Sequence, residues 1–225
     1  MTHLQNSQWA DLFDQAHRII NQANSRFSVL DRWSFGGGTA LMLQIDHRES
    51  FDVDIFIDDP QVLPYLNPQT QGLTLDINPS AYSFDGTHAL KIVFENIGEI
   101  DFIVAANLTK EPLKQTVIRE QKVDLETPVE IIAKKIYYRG TSMQPRDMFD
   151  IACVRQNAND SDLIETLRPL KDACFRALTV AQKMDPRFAE AVMSKLLYRP
   201  DYSNIPSVAQ QRTIELLEAV CELRH

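Results

Sequence analysis

Apolar positions in the first segment recur at helical spacing. Trp9, Leu12, Phe13, Ala16, Ile19, Ile20 and Ala23 fall on one stripe, which predicts an amphipathic helix over residues 8–24. The pattern then breaks into short runs. Arg32 to Phe35 reads as a strand entering the turn Gly36-Gly37-Gly38-Thr39, and Ala40 to Gln44 reads as helix. Phe51 to Ile57 is rich in β-branched and aromatic residues and predicts a second strand, with loop signals at Asp59-Pro60 and Asn67-Pro68 beyond it. Lys91 to Glu95 and Glu99 to Ala105 are further strands, and Asn96-Ile97-Gly98 between them predicts an antiparallel hairpin.

From Thr127 onward the period becomes helical. Thr127 reads as an N-cap, Pro128 takes the first helical position, and Glu130 completes a capping box that opens a helix through Tyr138. Helical patterns continue to the C-terminus, interrupted at Gln144-Pro145, Asp160-Ser161, Asp185-Pro186 and the loop from Pro200 to Pro206. The chain therefore divides into an α/β part, residues 1–125, and an all-helical part, residues 126–225. The expected fold class is α+β.

Composition narrows the class without naming a function. The 225 residues are 44% hydrophobic and 24% charged, with only seven Gly and eleven Pro, which excludes collagenous and globally disordered chains. No apolar run approaches the roughly 18 residues of a membrane span, and the opening MTHLQNSQWADLFDQ lacks the basic and apolar regions of a signal peptide, so no membrane is expected and the cytoplasm is the expected compartment. Cys153, Cys174 and Cys221 match neither a disulfide framework nor a zinc spacing and are expected as buried free thiols. A net charge of -8 excludes a protein that coats nucleic acid by charge alone. Yet the stretch from Lys110 to Arg146 holds eight cations and five anions, +3, leaving -11 for the rest. A local basic face is one reading, and chance in solvated faces is the other.

The strand Phe51 to Ile57 carries the most chemistry. Residues two apart share a face, so Asp52 and Asp54 project together while Val53, Ile55 and Ile57 enter the core. Two such carboxylates repel each other and need a cation, a shared proton or open water. The plain reading is a solvated strand face. If the later strand containing Asp101 pairs alongside, Asp101 completes a three-carboxylate oxygen site suited to a hard divalent ion, with Glu99 either a solvated neighbour or a fourth donor. The glycine turn precedes a helix start, where backbone N–H groups can approach phosphate oxygens. It lacks the G-K-[ST] of a Walker loop and fails G-x-G-x-x-G at Leu41.

Three motifs in order carry a family resemblance over residues 33–155. Phe35-Gly-Gly-Gly-Thr-Ala-Leu41, followed by His47-Arg48-Glu49-Ser50-Phe51-Asp52-Val53-Asp54-Ile55-Phe56, resembles the GGTAL and HR.S.D.D.F signature of the AbiEii/AbiGii-type toxin nucleotidyltransferases, within the DNA polymerase β-like superfamily. Glu130 to Ile136, then Arg139 and Pro145-Arg146-Asp147-Met148-Phe149-Asp150, resembles that family's closing motif. The resemblance implies a mixed-sheet nucleotidyltransferase core whose active site the helical part completes. It implies a Mg²⁺-dependent enzyme that transfers a nucleoside monophosphate from a nucleoside triphosphate to a tRNA or protein hydroxyl, as the toxin of a toxin–antitoxin or phage-defence pair with a cognate antitoxin. By position, Gly37, Gly38 and Thr39 would touch the triphosphate, with Arg146 and Asp147 also at the nucleotide. Asp52, Asp54 and Asp101 would hold Mg²⁺, Asp101 also serving as base, and Lys135 and Asp150 would join the catalytic set. In this chain Lys134 stands where the family has Glu. The alternative is a nucleotide-binding module of the same fold without turnover.

Other residues draw weaker expectations. Lys134, Arg139 and Asp150 are alternatively exposed helix ion pairs of little energetic weight. His47 has no partner at metal-ligand spacing, and His3, His17, His88 and His225 are scattered. His47 and Arg48 are expected either to border the nucleotide or to be structural. Trp33, Tyr137 and Tyr138 are expected in the core or at an interface, or stacked on a base.

Overall fold

The computed structural model describes residues 7–222, so His3 and His225 lie outside the described residues. In chain order the elements are α1 (Trp9–Phe27), β1 (Ser34–Gly36), α2 (Gly37–Ile45), β2 (Val53–Ile57), α3 (Pro68–Gln71), β3 (Ala81–Phe84), β4 (Ala89–Phe94), β5 (Gly98–Val104), β6 (Leu113–Ile118) and β7 (Gln121–Glu126). Helices follow: α4 (Pro128–Arg139), α5 (Pro145–Asn157), α6 (Asp160–Leu167), α7 (Lys171–Lys183), α8 (Pro186–Met193) and α9 (Ile205–Glu222). The described chain forms two compact units. The first contains the residues up to Ala40, Ser50–Ala106 and Leu113–Glu126, and the second contains Leu41–Glu49, Asn107–Pro112 and the residues from Thr127 on.

The first unit is built on one mixed sheet in the order β3-β4-β5-β2-β1-β7-β6. β2 and β5 run parallel, as do β1 and β7, and the other neighbours are antiparallel. Val53, Ile55 and Ile57 are buried on one face of β2, while Asp54 and Phe56 alternate onto the other at intermediate exposure. The amphipathic α1 lays its stripe of Leu12, Phe13, Ala16, Ile19, Ile20 and Ala23 against β2 and β5. The hairpin expected around Asn96 is present, with Phe94 opposite Gly98.

The β6–β7 hairpin has no conventional turn signal. Its two turn residues, Arg119 and Glu120, both adopt positive φ (47° and 65°), a conformation that hairpins usually assign to Asn or Gly. The Arg119 guanidinium compensates by gripping the Asp14 carboxylate on α1 with bonds of 2.6 to 3.0 Å. A tertiary contact thus holds a turn that local preference does not specify.

The second unit is helical, with α5 and α7 packed on α9. Met148, Phe149, Ile151, Ala152, Cys153 and Val154 are all buried within α5, so this helix is surrounded rather than amphipathic. The capping box expected at Thr127 is only half formed. The Thr127 hydroxyl oxygen accepts from the Glu130 N–H, but the Glu130 carboxylate turns away to accept from the N–H groups of Leu108 and Thr109 (2.9 Å each) and the Thr109 hydroxyl (2.7 Å). The Thr127 N–H donates instead to the Pro112 carbonyl. Glu130 is fully buried, and three donors of the 107–112 loop serve it better than one backbone N–H would. All three cysteines are free as expected, although Cys221 is only half-buried.

Glu130→Ala should therefore destabilise the protein by about 2–3 kcal/mol, because it strands the loop donors. Urea unfolding checks this, and a loss below about 1 kcal/mol would show that the loop does not depend on the carboxylate.

Candidate functional site

In the first unit, strand register assembles the carboxylates. Parallel pairing of β2 and β5 sets Asp54 directly beside Asp101, and antiparallel pairing of β5 and β4 sets Asp101 beside Lys91. Asp52 lies just before β2 and its Oδ1 accepts from the Glu99 N–H at 3.0 Å. The Lys91 ammonium donates to Asp101 Oδ2 at 2.9 Å and also to Glu99. Burial disfavours the charge on Lys91, but its hydrogen bonds to Glu99 and Asp101 more than offset this and raise its pKa. For Asp101, burial outweighs the help from Lys91, and the neighbouring Glu99 and Asp52 charges add to it, so its pKa is raised.

The glycine turn meets the same carboxylates. Gly37 has φ +70°, and a Cβ there would overlap the Asp54 carboxyl group, so the Asp54 side chain rests in space that only glycine leaves open. Thr39 is fully buried and its hydroxyl donates to the Asp52 carbonyl, tying the turn to the carboxylate segment. Gly37 and Gly38 are partly exposed at the start of α2, where helix N–H groups lack intrahelical partners. Among the described residues, no three His, Cys, Asp or Glu side chains stand together as a formed metal site. The donor chemistry nonetheless suits a hard cation: carboxylate oxygens only, on rigid neighbouring strands, with one charge already balanced by Lys91.

The second unit buries a separate charged cluster. Asp150 on α5 is fully buried and receives His47 Nε2 at 2.9 Å, Arg48 Nε at 2.8 Å, Arg48 Nη2 at 3.0 Å and the Lys135 ammonium at 3.1 Å. Burial alone would raise its pKa, yet the Arg48 and Lys135 charges and the His47 contact hold it well below the usual carboxylate range. Asp147, one turn earlier, binds Lys135 at 2.9 Å and faces Arg139 at 3.5 Å, and its pKa is likewise lowered against the effect of burial. It also closes the capping box of α5 by accepting from the Gln144 N–H. His47 Nδ1 has no hydrogen-bond partner, which places the proton on Nε2, toward Asp150. Phe149 stacks near the imidazole, and the His47 carbonyl accepts from the Arg199 N–H.

The structure thus places Asp52, Asp54, Asp101, Gly37, Gly38 and Thr39 in the first unit, and Lys135, Asp147 and Asp150 in one cluster of the second. Arg146 is exposed in the first turn of α5. Lys91, Glu99 and the His47–Arg48 pair make closer contacts than sequence spacing indicates, because their partners become neighbours only through strand register or across about a hundred residues. A lone lysine in the apolar run of β4 was the available signal for Lys91. The reading of Lys134, Arg139 and Asp150 as exposed ion pairs does not hold for Lys134 or Asp150, which are buried. Nor do Tyr137 and Tyr138 enter the core: both are exposed, with their rings edge to face at 4.9 Å. Of the eight cations counted between Lys110 and Arg146, Arg119, Lys134, Lys135 and Arg139 face carboxylates, while Lys110, Lys114, Lys122 and Arg146 are exposed.

Comparison with known proteins supplies an independent observation. The family model described as "Nucleotidyl transferase AbiEii toxin, Type IV TA system" matches residues 18–212. Among solved structures, a Helicobacter pylori protein titled a "putative nucleotidyltransferase" is similar at 15% identity and a TM-score of 0.44, covering 97% of this chain and 99% of its own. JHP933 from Helicobacter pylori is similar at 14% identity and a TM-score of 0.43, covering 95% of each chain. No curated protein matches the sequence.

Asp150→Asn should cost about 3–5 kcal/mol, since Arg48 and Lys135 would lose a buried counter-charge. The wild-type contribution has a definite sign with pH. A carboxylate whose folded pKa is depressed stabilises fully above its unfolded pKa, near ~4, and loses that stabilisation as pH falls through the folded value. Urea midpoints measured from pH 6 downward should fall steeply in acid for the wild type and less steeply for Asp150→Asn. Parallel curves would refute the assignment. Gly37→Ala should also destabilise, by about 1–3 kcal/mol, because φ +70° and the Asp54 overlap both penalise a Cβ.

Proposed function

Because the chain belongs to the AbiEii nucleotidyl transferase toxin family, we propose that it transfers a nucleoside monophosphate from a nucleoside triphosphate to a hydroxyl of tRNA or of a protein. The enzyme class, nucleotidyl transferase, follows from the family, as does the toxin–antitoxin setting. The observation that carries the finer reading is the register that sets Asp54 beside Asp101, with Gly37 against the Asp54 carboxylate.

The residues then take the following parts. Asp52, Asp54 and Asp101 would hold Mg²⁺, and the bound ion would supply charge neutralisation for the triphosphate. The N–H groups of Gly37 and Gly38 meet phosphate oxygens, and Thr39 keeps the turn in register with Asp52. Asp101, which the register sets beside Asp54, takes the proton of the acceptor hydroxyl. The hydroxyl oxygen bonds to the α-phosphorus as the bond to the β-phosphate bridging oxygen breaks, and pyrophosphate leaves with that electron pair.

In the second unit, Lys135, Arg146, Asp147 and Asp150 are assigned to function by their match to the family's closing motif. Asp147 and Asp150 act there as positioning residues, since each is buried and holds cations in place. The functional domains are proposed as residues 1–125 and 126–225. A cognate antitoxin, a role in phage defence and a cytoplasmic site of action, where triphosphates are abundant, belong to the same reading. Among the described residues, no helix is long and apolar enough to cross a membrane.

The test is to incubate the protein with Mg²⁺, each α-labelled triphosphate, total tRNA and cell extract, and to repeat it with Asp54→Ala and with EDTA. Label should enter one macromolecular fraction, fall by at least about 10²-fold in Asp54→Ala and vanish with EDTA. Triphosphate binding without product in any fraction would overturn the reading in favour of a binding module, and product that survives Asp54→Ala would overturn the site.

A further inference from the structure

Lys91 lies outside the motifs that carry the family resemblance, yet it binds one of the proposed ligands, Asp101, directly at 2.9 Å. Three strands place Asp54, Asp101 and Lys91 in a row, because Asp54 pairs with Asp101 across β2 and β5 and Asp101 pairs with Lys91 across β5 and β4. The ladder bonds of β4 and β5 fix that opposition. The Lys91 side chain keeps 36% of its surface, while Asp101 keeps 16%, so the pair is partly shielded from water and salt. Lys91 also binds Glu99, two residues from Asp101 on the same face. Two carboxylates of β5, Glu99 and Asp101, thus share the ammonium of β4.

We propose that Lys91 is a tethered counter-cation of this carboxylate set. It balances Asp101 and Glu99 and competes with a divalent ion for the Asp101 carboxylate, so that the ion binds more weakly than it would without the ammonium. The physical basis is that a fixed positive charge beside a ligand lowers the affinity for a second cation. Glu99 gives the ammonium a second anchor on β5 when Asp101 turns to the ion. The inference rests on the reading of Asp52, Asp54 and Asp101 as metal ligands.

The experiment uses Mn²⁺ alone as the probe, with free ion counted by electron paramagnetic resonance. Full-length wild type, Lys91→Met, Lys91→Arg and Asp54→Asn are compared without nucleotide. Lys91→Met should bind Mn²⁺ about tenfold more tightly than wild type, Lys91→Arg should match wild type, and Asp54→Asn should bind more weakly than any. Unchanged or weaker binding in folded Lys91→Met, with Asp54→Asn impaired, would overturn the role of Lys91 and leave the metal reading intact. Wild-type binding that is absent, or indifferent to Asp54→Asn, would overturn the metal reading and this inference with it. Should Lys91→Met fail to fold, nitrogen-15 NMR of the lysine ammonium groups in wild type decides the matter. The Lys91 signal should shift at saturating Mg²⁺ as its bond to Asp101 opens, and an unmoved signal would refute the proposal.

Discussion

Like charge on neighbouring strands is the constraint around which the first unit is arranged. The core requires Val53, Ile55 and Ile57 on one face of β2, and the period of two then commits Asp54 to the other. The parallel register with β5 brings Asp101 alongside, so two carboxylates face each other on strands that cannot slide without exposing the apolar face. Several local features follow from accommodating them. Gly37 gives the Asp54 carboxylate room, Thr39 and the Glu99 N–H secure the Asp52 segment, and Lys91 supplies positive charge from the next strand.

The second unit meets a related constraint by the opposite means. Asp150 is removed from water altogether, so its charge is tolerable only because His47, Arg48 and Lys135 converge on it. Each cation is in turn placed by backbone that has its own support: α4 carries Lys135, and the segment around Arg48 is bridged to Tyr198. The cluster gains geometric definition from this, since the bidentate Arg48 fork fits only one orientation of the carboxylate. Net favourable energy from a buried ion pair is modest, whereas the cost of removing one member is large.

How much was legible in the sequence varies with the range of the interaction. α1, β2, β4, β5 and the start of α4 were readable because periodicity, Pro128 and the turn at Asn96 are local signals. The β6–β7 hairpin was not, because its turn residues Arg119 and Glu120 hold positive φ with help from Asp14, far away in sequence. The capping box was misread for a similar reason: Glu130 fits the local pattern but is taken by a buried loop that offers three donors. For Tyr137 and Tyr138 residue type left core, interface and base stacking open, and exposure, which rules out the core, depends on which face of α4 the neighbours cover.

The candidate site divides along the same line. By itself the sequence determined the α+β class, the carboxylate pair Asp52 and Asp54, the glycine turn before them and the resemblance that names the family, since each resides in adjacent residues of fixed chemistry. Only the tertiary structure decided that Asp101 lies beside Asp54, that Lys91 shares its charge, and that His47 and Arg48 serve Asp150. Those are pairings between segments dozens to a hundred residues apart. Strand register and helix packing choose them by burying the most apolar surface, and the charged side chains take the neighbours this leaves them.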